Sequence, residues 1–176
     1  GHRGIRPAES ASGFAAFCER NPKPCPLSGM SAPGDPHIEG LGVDLDLRTD
    51  IPQYRVFRDG ECIAEPNNLL DVWRDDLVSF VLGCSFSFEL PMVEAGIPLR
   101  HWENNVNVAM YTTNIECTPA GRFSGPTVVS MRPLSPANAI RAVQVPSRHP
   151  NRHGAPRYNG HPRHTAAAHT TPPDTG

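Results

Sequence analysis

Lysine is almost missing from this chain. Lys23 is the only one, so fifteen of the sixteen basic residues are arginine, a bias that reflects a G+C-rich genome more readily than guanidinium chemistry. Aromatic residues make up only 7% and hydrophobic residues 38%, a lean but sufficient supply for one core in 176 residues. Long apolar runs are absent, which excludes a hydrophobic spanning helix, and the first residues lack a charged-then-apolar leader. A soluble, cytoplasmic protein without a membrane role is expected. The net charge is −2, yet four arginines against one aspartate follow Ser147, so the body is acidic and the tail basic. That distribution argues against a nucleic-acid binder, which needs a basic folded face. The five cysteines, Cys18, Cys25, Cys62, Cys84 and Cys117, form no CxxC pair and lack histidines at zinc spacing. Reduced thiols, no metal and no cofactor are the expectation. Gly121 and Gly125 flank Arg122-Phe123 without the spacing of a phosphate loop.

The richest stretch runs from Leu69 to His101. Asn68 can cap a helix, and Trp73, Leu77, Phe80 and Val81 recur at i, i+4, i+7 and i+8, which predicts a helix with one buried stripe. Gly83 is a stop, and Pro91 a first residue for the next helix. Between them lie Cys84, Ser85, Ser87 and Glu89, interleaved with Phe86 and Phe88. A thiol, two hydroxyls and a carboxylate among aromatics suit an active-site loop; they suit a helix-capping turn equally.

Elsewhere the pattern predicts a helix over Glu9 to Arg20, ended by the proline-rich run that follows. A hairpin is expected over Gln53 to Glu65, turning at Asp59-Gly60. Strands are expected over Asn105 to Thr112, Thr127 to Met131 and Ala142 to Val145, with a short helix opening at Ser135-Pro136. The five histidines at 149, 153, 161, 164 and 169 could form a metal-binding tail, but an unstructured low-complexity end is the plainer reading.

Several runs resemble signatures of the bacterial hydro-lyase family related to D-glutamate cyclase. They are Arg20 to Leu27 (RNPKPCPL), Leu47 to Val56 (LRTDIPQYRV), Trp73 to Val78 (WRDDLV) and Gly83 to Glu89 (GCSFSFE). Glu94 to Pro98 (EAGIP), Met110 to Asn114 (MYTTN), Ala120 to Pro126 (AGRFSGP), Val129 to Leu134 (VSMRPL) and His153 to Pro156 (HGAP) complete the set. The resemblance implies an α/β fold, a mixed-sheet layered α/β core with a smaller α+β lobe, the C-terminal part of the family domain missing. On this reading residues 1–13 are a divergent N-terminal segment, 14–156 an incomplete hydro-lyase-like domain and 157–176 a disordered tail.

The activity implied is dehydration of a small amino or oxo acid, such as D-glutamate to 5-oxo-D-proline. Such a reaction needs cations for a carboxylate, a base for the amine and an acid for the leaving oxygen. Arg48, Arg55 and Arg132 are candidate carboxylate ligands, each with an alternative as an ion pair to Asp50, Asp75 or Asp76. Glu89 is the first choice for acid/base work, its pKa expected to rise on partial burial, against plain placement at a helix N-terminus. His101 is the second, against a packed residue beside Trp102. Ser85 and Ser87 are hydrogen-bond donors to substrate or oxyanion, ahead of Cys84 as a nucleophile; Tyr111 and Asn114 are substrate contacts. These assignments come from residue chemistry and not from residues carried over from the family. The expected partner is a small carboxylate, and a homo-oligomer is compatible with the sequence. The alternatives are a non-catalytic small-carboxylate binding module and an inactive truncated family member.

Overall fold

A computed structural model describes residues 2–42, 44–148 and 153–160, with the backbone of Ala168 and His169. The elements run β1 (His2–Pro7), α1 (Ala8–Arg20), β2 (Leu27–Met30), β3 (Val56–Arg58), β4 (Glu61–Ala64) and β5 (Leu77–Leu82). A 3-10 turn (Ser85–Phe88) then leads into α2 (Glu89–Glu94), α3 (Arg100–Glu103), β6 (Met110–Glu116), β7 (Pro126–Ser130), α4 (Pro136–Ser147) and β8 (Ala168–His169). Mixed helices and small sheets fit the α/β class. The sheets are ordered β1-β5-β2, β3-β4 and β7-β6-β8, and the pairings β1–β5, β3–β4, β6–β7 and β6–β8 are all antiparallel. Of the expected tail, residues 161–167 and 170–176 lie outside the described residues, as do the side chains of His149, His161, His164 and His169.

Two compact units divide the chain. One comprises His2–Ser12 and Ser28–Leu82, the other Gly13–Leu27 and Gly83–Gly176. In the first, β5 is the central strand, with Phe80 at 0%, Ser79 at 1% and Val78 at 3% exposure. The helix expected over this stretch is therefore wrong: LVSFVL is a short apolar run covered on both faces, where helix and strand patterns coincide, and its branched and aromatic residues favour the strand. Asn68 still caps, but only a turn: its Oδ1 accepts from the Leu70 amide at 3.1 Å. Ile38, Leu47 and Val81 form the nearby core, with Leu41, Leu45 and Ile51 packed on it. The β3–β4 hairpin turns at Asp59 and Gly60, with φ of 52° and 88°, the left-handed pair a tight turn requires.

The second unit carries its own core of Phe88, Met92, Ile97, Leu99 and Ala142. Its helices stop in a defined way. The Gly96 amide donates to Val93 and the Ile97 amide to Met92, while Gly96 takes φ 73°; this is a Schellman turn, and the Met92–Ile97 contact in the core is its usual apolar seal. The same pattern ends α3, where Asn105 at φ 52° donates to Trp102 and Val106 to His101. That closure explains why β6 begins at Met110 and not at Asn105. Ser135 caps α4, its hydroxyl accepting from the Asn138 amide at 3.4 Å. The strand expected over Ala142 to Val145 is instead part of α4, because the cap at Ser135 and the Ala-rich sequence carry the helix through it. The proline run after α1 is fixed by Asn21, whose side chain exchanges hydrogen bonds with the backbone of Thr118, 2.8 Å each way.

Candidate active site

Glu89 opens α2 with its side chain only 3% exposed, at the point where the 3-10 turn of Phe86 and Phe88 hands over to the helix. A carboxylate so placed must be compensated or lose its charge. Four donors compensate it. Arg132 donates to Oε1 through Nε at 3.2 Å and more closely through Nη2. His101 Nε2 lies 3.0 Å from the same oxygen, and the Trp102 indole N–H donates to Oε2 at 2.9 Å. An ionised carboxylate only accepts, so His101 Nε2 carries the proton of that bond.

A second tier holds Arg132. Its Nη1 donates to the Ser130 hydroxyl at 2.8 Å, its Nη2 to Ser85 Oγ at 3.3 Å, and its guanidinium lies 5.4 Å from the Phe88 ring centre. Ser130 ends β7, and Arg132 follows two residues on, so the strand's period of two sends both side chains the same way. The turn at Gly96 brings His101 back beside Glu89 across a separation of twelve residues.

The expected rise in the Glu89 pKa does not occur. Burial is the largest effect and pushes the carboxyl up, but hydrogen bonds from Arg132 and Trp102, with the charges of Arg132 and His101, together outweigh it. The carboxyl sits below its usual range and is ionised at neutral pH, where it accepts hydrogen bonds and has no proton to donate.

Four sequence candidates therefore meet: Glu89, His101, Ser85 and Arg132. Trp102 and Ser130 join them unforeseen, although Ser130 is readable as the same-face neighbour of Arg132. Arg48 and Arg55 belong to the other unit, and their partners differ from the aspartates expected. Arg48 pairs with Asp46 at 2.7 Å, a hydrogen bond that holds the Asp46 carboxyl below its ordinary range, and Arg55 pairs with Glu65 at 3.1 Å. Ser87 and Asn114 are exposed and Tyr111 is half-buried, while the side chains on Glu89 and Arg132 are those of His101, Trp102, Ser85 and Ser130. Cys84 is buried at 4%. Among the described residues, no group of three or more His, Cys, Asp or Glu side chains is arranged to hold a metal ion, and no helix is long and apolar enough to cross a membrane.

Known proteins resemble this chain closely. The sequence profile of the D-glutamate cyclase family matches residues 78–176, which contain the whole Glu89 cluster. A Bradyrhizobium diazoefficiens protein named "Putative hydro-lyase blr2921" is 58% identical over 176 residues, all of this chain and 65% of its own length. A "Putative hydro-lyase" of Rhodopseudomonas palustris strain BisB5 is 57% identical over 176 residues, with 100% and 65% covered. "Putative hydro-lyase RL2444" of Rhizobium johnstonii is 58% identical over 172 residues, 98% of this chain and 64% of its own length. The chain thus spans slightly less than two thirds of these curated relatives. The first alignment covers 100% of the chain, so it includes residues 1–13 and 157–176, where the sequence reading expects the likeness to fail.

Proposed function

The chain belongs to the D-glutamate cyclase family, and from that premise we propose that it is a hydro-lyase that dehydrates a small amino or oxo acid, cyclising D-glutamate to 5-oxo-D-proline. The observation that supports the reading is the buried Glu89–His101–Arg132 cluster, with Ser85 and Ser130 on the arginine.

In the cyclisation the substrate amine attacks its own side-chain carboxyl carbon. A C–N bond forms and a C–O bond breaks: the ammonium gives up one proton to become the nucleophile and a second after attack, and both protons leave with the departing carboxyl oxygen as water. His101 is the proton-transfer group: Glu89 fixes its ring through Nε2, and Nδ1 is the nitrogen left to exchange protons. Arg132 and the Ser85 hydroxyl stabilise the oxyanion of the tetrahedral intermediate. Arg132 is less suited to the carboxylate-clamping role expected of it. Of about five guanidinium N–H groups, contacts to Glu89, Ser130 and Ser85 use four.

Conversion of D-glutamate to 5-oxo-D-proline, followed by chiral chromatography, tests the reading. His101→Asn and Glu89→Gln are each expected to lower kcat by ~10²–10⁴ with the circular-dichroism spectrum retained. Folded wild-type protein without turnover rejects the cyclase reading; full activity in both variants rejects the cluster as its site.

A further inference from the structure

A shallow, open cavity of about 420 Å³ lies at the surface, lined by Pro98, Arg100, Glu103, Asn104, Pro133 and Leu134, all but Leu134 exposed. Its walls are the two segments that carry the cluster: Arg100 immediately precedes His101, and Pro133 immediately follows Arg132. Arg100, Glu103 and Asn104 are spaced i, i+3, i+4, one face of a helical turn, with His101 on the adjoining face.

The lining pairs one cation with one anion, both exposed to solvent. Among the described residues the ion pairs are those of His37, Arg48, Arg55, Arg74, His101 and Arg132, so Arg100 and Glu103 hold neither each other nor another charge. Asn104 Nδ2 donates to the Arg100 carbonyl at 2.6 Å, which fixes the amide and leaves its Oδ1 to accept. Arg132, with its guanidinium already committed, cannot be the main carboxylate ligand, and Arg100 is the uncommitted guanidinium in the cavity next to it.

We propose that this cavity is the recognition site for a zwitterionic amino acid: Arg100 binds the carboxylate, Glu103 and the Asn104 Oδ1 bind the ammonium, and Pro98, Pro133 and Leu134 cover the methylenes. The assignment rests on the function proposed above and names the residues that select its substrate. A guanidinium and a carboxylate on one helix face match the opposed charges of an amino acid. A plain diacid would meet Glu103 as a repulsive neighbour, which gives the site its discrimination.

Calorimetric titration of the 176-residue chain with D-glutamate and with glutarate, which lacks the ammonium, tests the site. Wild type is expected to bind D-glutamate more tightly than glutarate. Arg100→Gln should weaken D-glutamate by about tenfold or more. Glu103→Gln should weaken D-glutamate while leaving glutarate unchanged or tighter, so that the discrimination collapses. No binding of D-glutamate by the folded wild type, unchanged affinity in both variants, or equal weakening of both ligands by Glu103→Gln overturns the site. Turnover measured in parallel separates the two readings. An unchanged KM in both variants of an active protein removes this site and keeps the lyase. The expected binding pattern without wild-type turnover keeps the site and removes the cyclase.

Discussion

Glu89 sits almost out of reach of water and still holds its charge, which makes it the residue on which local stability and chemistry both turn. Its folded pKa lies below the ordinary value of 4.5. A group depressed in this way adds stability that is fully present above its unfolded pKa and is lost as pH falls through its folded pKa. Urea unfolding from pH 7 to 3 should therefore show a constant stability gap between wild type and Glu89→Gln above about pH 5.5, shrinking once the carboxyl of the wild type protonates. Removing Arg132 is the harsher change. Arg132→Ala leaves a buried carboxylate without its main cation and should cost ~3–5 kcal/mol at pH 7, whereas the double change Glu89→Leu/Arg132→Met should recover much of the loss at the expense of turnover. The sequence shows which residue types could act here, because carboxylate, imidazole and guanidinium each carry their chemistry in their identity. It cannot show the direction of the Glu89 shift, since that depends on donors up to 43 residues away, and burial alone points the other way.

Elements that close locally are legible in the sequence; elements settled by tertiary burial are not. The end of helix α1 and the Asp59-Gly60 hairpin follow from proline and turn chemistry within a few residues. Strand β5 does not, because Trp73, Leu77, Phe80 and Val81 fit a helical stripe as well as a covered strand, and only β1 and β2 on either side decide it. The family run EAGIP has a physical explanation in the turn that ends α2. Gly96 at φ 73° closes that helix and aims the chain at His101, and a Cβ added there would meet only the Arg141 guanidinium, at 3.9 Å. Gly96→Ala should thus suffer backbone strain and little crowding, a loss of ~1–2 kcal/mol. Because the turn sets where α3 begins, and α3 carries both His101 and the Arg100 and Glu103 of the cavity, kcat should fall and the Kd for D-glutamate should rise together. A kcat and Kd both equal to wild type would show that α3 finds its place without the turn.

Each of the two compact units contains one tryptophan, and the two are wired to different chemistry. Trp73 belongs to the unit of residues 28–82 and donates its indole N–H to the Gly34 carbonyl at 3.2 Å, a partner that does not titrate. Trp102 belongs to the unit of residues 83–176 and donates to Glu89, a partner that does. A peptide carbonyl stays an acceptor at every pH, whereas protonating Glu89 weakens its hold on the indole and on Arg132 together. Fluorescence should report this separately for each unit. Trp73→Phe, which keeps Trp102, should show a reversible emission step at a pH below 4.5 and ahead of acid unfolding. Trp102→Phe, which keeps Trp73, should stay flat until that unfolding. Adding Glu89→Gln to Trp73→Phe should abolish the early step. A step of the same midpoint in both single-tryptophan proteins would mean that acid acts on the whole chain at once, and that the Glu89 contact is not what Trp102 senses.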